Sequence, residues 1–509
     1  MRVTCLLVTA LSVTTAPLAA QSPGSGSRFL EYDHWSYEYI QRLRSRGYLK
    51  SLNPLVRPYR RLEVARGLQG LDSDTLRAPQ AHWVRLLHEE FGAELRRLAG
   101  EDGVPWGFQA QLEITGSSSR RFDPLRPVGE EGGWPRGTAG VWAEVGAFAA
   151  QMRVEGDAHL VDEVDGIPLN NGQVGRTDHA YASVSLPFGS LAFGRLKQNW
   201  SVLGTRGVMI SDAAPAYPQL AFEAHVGPLA LRSLTGELET ITRPTTMANL
   251  KRYISAHRFD FQKDNVVISV GEGTLFATEH GLQLRFLNPF EVLLAERSDE
   301  PRDIVENVGA NLQVWTLLGG LELFGEFFLD DVDVSPGERD AEPFTYAFTV
   351  GTRIPGLADW MEIGVEYGQV SSFAYRPPNV VDVWSYFGRG LGANYSDFDR
   401  FTFTASLFPP LPGLRLTPTL QVQRQGEGDL RDPVPPSDEF LASPNLFLGV
   451  KETTVRVALR GRYQPVRYFW IEWDLGRNVV RDAEHVTGND RESFEGVVRA
   501  GAIVTVPVR

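Results

Sequence analysis

Residues 453–478 read TTVRVALRGRYQPVRYFWIEWDLGRN, and along them hydrophobic and charged side chains take turns. Val455, Val457, Leu459 and Tyr463 fall on odd positions, while Arg456, Arg460 and Arg462 fall on even ones. Past Gln464 and Pro465 the odd positions Phe469, Ile471, Trp473 and Leu475 are apolar again, and Glu472 and Asp474 are even. A period of two is that of a strand, and two such runs about a proline-containing turn predict a hairpin.

The same alternation runs from Trp106 to the end of the chain. Trp106, Phe108, Ala110, Leu112 and Ile114 alternate with Gln109, Gln111 and Glu113. Phe401, Phe403 and Ala405 alternate with Arg400, Thr402 and Thr404, and Leu321, Leu323, Phe327 and Leu329 with Glu322, Glu326 and Asp330. About eighteen such segments of roughly ten residues occur, the length a tilted strand needs to cross a bilayer. Short turns are expected at 187–189, 227–228, 263–265, 355–358, 409–412 and 464–465. Long polar or Gly/Pro-rich loops fall at 116–138, 198–218, 373–397 and 426–450. Short turns on one side and long loops on the other describe an outer-membrane barrel.

A soluble sandwich also alternates, but it holds few strands per sheet, and no linker divides residues 105–509 into several sandwiches. One closed antiparallel barrel leaves no sheet edge and satisfies the backbone within lipid. Its apolar face then meets lipid, and Arg456, Arg460, Arg462, Glu472 and Asp474 share the lumen. Two readings of those charges stand: opposed arginines and carboxylates that satisfy one another around water, or a sugar-binding wall. In the second, Trp470 and Tyr468 offer ring surfaces beside Glu472.

The chain of 509 residues is 42% hydrophobic and contains 50 Gly and 11 Trp, so it is not of disordered composition. Beyond the N-terminus no apolar run is long enough for a spanning helix. The first residues, MRVTCLLVTALSVTTAPLAAQ, have a cation at Arg2, an apolar centre and small residues at Ala19 and Ala20, the pattern of a signal peptide covering 1–20. The single cysteine, Cys5, lies within it, so the mature chain is expected to have no disulfide or thiol chemistry. A net charge of −13 argues against nucleic acid as a partner. Residues 21–104 read differently, as three short amphipathic helices. The last, in AHWVRLLHEEFGAELRRLAG, repeats Trp83, Leu86, Leu87, Phe91, Leu95 and Leu98 at helical spacing. Arg42, Arg44, Arg46, Arg57, Arg60 and Arg61 give this region a basic face, read as solvated or as a contact for an acidic polymer or the following barrel at 105–509.

Three stretches resemble the Wzi family of capsule-assembly outer-membrane proteins. LAFGRLKQNWSVLGTRGVMISDAAPAYPQL supplies Gly194, Arg195, Trp200, Gly204, Ile210, Ser211, Ala213, Pro215 and Pro218. KRYISAHRFDF, VVISVGEGTLFA and LRFLNPFEVL supply His257, Arg258, Gly271, Glu272, Asn288, Pro289 and Phe290. LFGEFFLDD ends in Asp330 and Asp331. The resemblance implies an outer-membrane barrel with a helical domain on the periplasmic side and a role in attaching capsular or other surface polysaccharide. Outer-membrane lipid and the barrel assembly machinery are the partners expected with it.

No Gly-x-Ser-x-Gly, His-Glu-x-x-His, phosphate loop or dinucleotide loop occurs, and the nine His are scattered, so no enzyme activity and no cofactor are expected. Asp330, Asp331 and Asp333 lack the spacing of a defined calcium loop and read as a solvated turn, with no metal expected. The loop at 373–397 gathers Phe373, Tyr375, Trp384, Tyr386, Phe387 and Tyr395 with Arg376 and Arg389. Its rings either stay exposed for a partner or fold over the barrel mouth as a lid. The expected function is non-enzymatic binding of surface polysaccharide, through Trp384, Tyr386 and Arg389 or the lumenal Arg456, Arg460, Trp470 and Glu472. A porin-like channel for oligosaccharides or small anions is the alternative.

Overall fold

The computed structural model describes residues 26–101, 106–166, 175–242, 249–279, 281–293, 295, 305–330, 345–376, 381, 383–432 and 443–508. Residues 1–25, which include the expected signal peptide, and His280, Asp331 and Asp333 lie outside the described residues.

Eighteen strands, from Trp106–Ser117 to Arg491–Val508, form one antiparallel sheet. The first strand pairs with Gly132–Val145 on one side and with the last on the other, Trp106 facing Val508 and Ser117 facing Val497. That seam closes the barrel, so none of its eighteen strands is left with an unpaired edge. The side-chain parity is the expected one: Val457 is 63% exposed on the outside, while Arg456 is fully buried within. Glu322 and Glu326 likewise face inward, and Leu323 and Phe327 outward.

Two turns sit elsewhere than expected. Pro355 and Pro465 lie inside the strands Thr345–Ala358 and Glu452–Val466, where β-bulges interrupt the register after Ile354 and Tyr463. A bulge accommodates the missing proline donor, so the hairpins close later, at 359–360 and 467–468. Tyr468 therefore stands exposed in a turn and offers no ring to the lumen.

The N-terminal region contains four helices, not three: α1 (Ser36–Arg44), α2 (Arg61–Leu68), α3 (Gln80–Glu90) and α4 (Gly92–Leu98). The third amphipathic run breaks at Phe91, which leaves helical geometry (φ −95°, ψ 16°) immediately before Gly92, a poor helix residue. Ile40, Leu43, Val64, Leu68, Trp83, Leu87 and Phe91 form their shared core, to which the barrel adds Leu203 and Phe408.

The arginine-rich face of these helices is docked, not solvated. Arg42 and Arg46 donate to Glu362 on the inner wall at 2.7 and 3.1 Å. Arg44 lies over Trp315 at 4.2 Å, and Arg57 pairs with Asp212 at 2.8 Å. Arg61 is turned into the bundle toward Glu90 and Glu94, and Arg60 reaches Ser183. The contacts cluster at the short-turn end: Gly26 N–H bonds Gly146 O, and Arg467 reaches Glu89 O. From there residues 26–33 climb the inner wall, with Glu31 accepting from Gln151 and Asp33 from Arg136 and Arg153.

The loop spanning 197–216 and the described residues of 371–397 also turn into the lumen. There Trp200, Met209, Ile210, Tyr375 and Trp384 pack with the inward residues Leu234, Ile254, Leu275 and Phe328. An apolar core thus fills one half of the barrel.

Candidate functional site

The other half, around the closure seam, holds a polar cavity of about 710 Å³. Its walls are the inward rows of the first and last strands, which place Glu113, Arg136, Glu155, Arg460, Arg462, Trp470, Glu472 and Arg499 around one space. Its floor is Tyr32, Asp33, Trp35 and Glu38 from the N-terminal segment and α1. Asp123, His159, Glu163, Arg389 and Tyr395 from three loops complete it at the far end.

Nearly every charge in it is cross-paired. Glu472 bridges Arg462 (3.0 Å) and Arg499 (3.1 Å), and Asp474 bridges Arg456 and Arg460, both at 2.8 Å. Arg136 reaches Asp33 and Glu113 at 3.0 Å and Glu155 at 2.8 Å. Burial opposes charge on Glu38, but Arg415, Arg42 and Arg462 outweigh it and hold the carboxyl at about 2. Asp123 is likewise held at about 2 against burial, by Arg400 and Arg126. Burial also acts against an ionised Asp33, and Arg153 and Arg136 keep its carboxyl below the usual range.

Aromatic rings interrupt the charges. Trp470 lies flat on the wall, because a Cβ at the facing Gly501 would overlap its indole, and Arg462 stands 5.9 Å from its ring. His159 stacks on Phe122 at 4.1 Å and meets Trp134 edge-on. Arg126 sits 4.0 Å over Tyr395. Ring faces set among charge-assisted donors and acceptors can hold a hydroxyl-rich, partly apolar ligand such as a pyranose.

Of the residues expected to form the site, Arg460, Trp470, Glu472, Arg389 and Pro215 line this cavity. Arg456 stands behind the wall, bonded to Asn478 and Asp474. Trp384 and Tyr386 are buried in the apolar core, with Trp384 Nε1 donating to Met209 O at 2.8 Å. Phe373, Tyr375, Trp384 and Tyr386 therefore turn inward as a lid, while Tyr395 borders the cavity and Phe387 stays 40% exposed. The positions shared with the Wzi pattern separate into two groups. Arg195, Trp200, Ser211 and Arg258 hold the inward loops: Arg195 donates to Ala216 O, Ser211 Oγ to Gly392 O, and Arg258 reaches Leu55 O while standing 5.6 Å from the Trp200 ring. His257, Glu272, Asn288 and Pro289 lie elsewhere, His257 pairing with Glu272 at 2.7 Å. Asp330 is buried against Asn307 and the Tyr375 N–H and is not a solvated turn.

Sequence reasoning placed Tyr395 in the candidate loop but missed Tyr32, Asp33, Arg136, Glu155 and Arg176. The inward parity of Arg136, Glu155 and Arg176 on early strands was available as a signal. The approach of Tyr32 and Asp33 was not, because nothing local marks a segment that climbs a lumen.

Fold and site together define an outer-membrane-type β-barrel with an internally docked helical domain and a polar lumenal cavity. Wzi of Escherichia coli, described as an outer-membrane protein of group 1 capsule assembly and a carbohydrate-binding β-barrel, has a similar fold. The two share 13% identity over 94% of this chain and 99% of that one, with a TM-score of 0.65. OccD3 (OpdP) of Pseudomonas aeruginosa aligns at 10% identity over 79% of this chain and 91% of its own, with a TM-score of 0.46. No family model matches the sequence, and no curated protein sequence does.

Proposed function

We propose that this protein is a non-enzymatic outer-membrane barrel that binds surface polysaccharide in its seam-side cavity, with the helices at the periplasmic end. The observation carrying this reading is the cavity itself, a polar space in which Trp470, Trp134, Tyr395 and Tyr32 stand among paired arginines and carboxylates. Rings supply flat apolar contact, and the fixed charges supply hydrogen bonds to hydroxyls without reorganising. The similar fold of Wzi, itself described as carbohydrate-binding, agrees with it. The occupied lumen favours binding over a porin-like pathway, since helices docked at the short-turn end and an apolar core leave little room for solute flow.

The test is retention of surface polysaccharide by cells, together with binding of that polysaccharide to the purified protein. Trp470→Ala and Glu472→Gln are expected to weaken both at equal barrel abundance. Unchanged binding in both variants removes the cavity from the function.

A further inference from the structure

The lipid-facing row of a barrel strand should be apolar across a band about 25 Å tall. On the last strand, Phe494, Val498, Val504 and Val506 remain exposed along nearly its whole length. Three adjacent strands break the rule. On Asn249–Lys263 the exposed Phe261 and Phe259 are followed on the same outer face by His257, Ser255 and Tyr253, all buried. On Val266–Thr278, Ile268 and Val270 give way to Glu272, Thr274 and Phe276, and the outer face of Leu229–Thr242 turns polar at Ser233 and Thr235. The register fixes the side: His257 faces Glu272 and Phe259 faces the exposed Val270, while the alternate residue Gln313 on the next strand reaches inward to Trp200. His257 precedes the turn residue Asp264 by about seven residues, roughly 18 Å along the axis of a tilted strand and still within the band.

What buries this polar patch is the chain that follows it. Gly281, at φ +89°, reverses direction, and residues 282–293 lie against the outer wall. Phe286 stacks on Phe276 at 3.8 Å and joins Tyr253, Leu293 and Val308 in a small core outside the barrel. Thr235 Oγ1 and Ser255 Oγ both donate to Phe286 O, at 2.8 and 2.7 Å. Leu293 N–H donates to Glu272 Oε1 at 2.9 Å, on the oxygen that also meets His257. The segment's other face is uncovered and mainly apolar: Leu284 is 82% exposed and Phe290 71%, with Leu282 and Val292 beside them, and the one exposed amide among them, Asn288, donates to Glu291 at 3.1 Å and accepts from the Phe290 N–H.

We infer that residues 282–293 are a lipid-embedded strap, which seals a polar patch on the barrel's outer wall and presents Leu284, Phe290 and Val292 to the acyl chains of the leaflet at the loop end. Continuity with the lipid-facing belt names the occupant, since Phe259, Ile268 and Val270 end where the strap begins. Unpaired polar groups are not tolerated against hydrocarbon, and the strap both satisfies them and restores the band. The inference rests on the barrel lying in a bilayer and is independent of what the cavity binds.

The only cysteine lies in the leader, so protein expressed without residues 1–20 accepts single thiols. Leu284→Cys and Phe290→Cys would carry bimane in lipid vesicles, with Phe259→Cys as the lipid-facing reference and Glu484→Cys, in a loop, as the aqueous one. Heat-modifiable migration confirms folding of each, and either strap position suffices. Lipids with brominated acyl chains are expected to quench positions 284 and 290 as they quench 259, while iodide quenches 484 alone. Iodide quenching at 284 and 290, or protection there from both quenchers as under a second copy or another protein, overturns the strap. Absence of lipid quenching at 259 as well overturns the membrane barrel itself.

Discussion

Two tryptophans on inward-turned elements have opposite duties. Trp384 is fully enclosed by the lumenal core and donates to Met209 O, so Trp384→Ala leaves a large void and an orphan carbonyl. It is expected to cost about 3–5 kcal/mol and to lower the temperature at which the barrel loses its compact gel form. Trp470 borders the cavity with only 5% of its surface exposed, and Trp470→Ala is expected to reduce polysaccharide binding while lowering that temperature less than Trp384→Ala does. Glu38 gives a pH prediction. Its carboxyl is held at about 2 by Arg415, Arg42 and Arg462 against burial, below the ordinary 4.5. A depressed folded-state value stabilises docking fully above about pH 4.5, and that stabilisation is lost as the pH falls toward 2. Pepsin cleavage of the helical region should therefore rise as the pH falls through that window, and Glu38→Gln should already be loosened at neutral pH and respond less to acid.

The element that ties helix to barrel is the C-terminal end of α1, where Arg42 and, in the turn just beyond the helix, Arg46 share Glu362. Glu362→Ala leaves two buried guanidinium groups without that carboxylate, a loss of about 3–5 kcal/mol in docking. Limited proteolysis within residues 36–98 is expected to accelerate while the barrel stays heat-modifiable; unchanged cleavage would show that the apolar contacts with Leu203 and Phe408 suffice alone. This docking was the least legible part of the sequence. The strands announced themselves because an apolar outer face and a polar inner face impose a strict period of two, as at Val455–Arg456–Val457. The helices announced themselves through spacings such as Trp83, Leu87 and Phe91. Whether a row of arginines meets water or an acid on another element depends on contacts far apart in the chain, such as Arg42 with Glu362. The ring-rich loop was ambiguous for the same reason. One sign of a filled lumen was present, the inward Phe324 and Phe328 on an otherwise acidic face, which only an apolar interior accommodates.

At the scale of the whole molecule the lumen is divided. A barrel of eighteen strands emptied of its contents is wide enough for an aqueous channel. Here the helices occupy the short-turn end, the loop at 197–216 and the described residues of 371–397 pack one half with apolar side chains, and the seam side keeps the polar cavity of about 710 Å³. The intact protein in a planar bilayer is therefore expected to give no steady single-channel steps, and large regular steps would return the porin reading to first place. A variant lacking residues 26–101 should conduct, but only through the seam-side half, so its steps should be small for a barrel of this strand number. Nine arginines and ten carboxylates border that space, mostly paired with one another, and the deletion itself removes Asp33, Glu38 and Arg57 from it. With positive and negative charge so nearly matched, the conducting variant should discriminate weakly between cations and anions, read as a reversal potential near zero in a salt gradient. A strongly anion-selective current would instead mean that the arginines separate from their carboxylates once the helices leave, and that the helical domain sets the charge of the site as well as its floor.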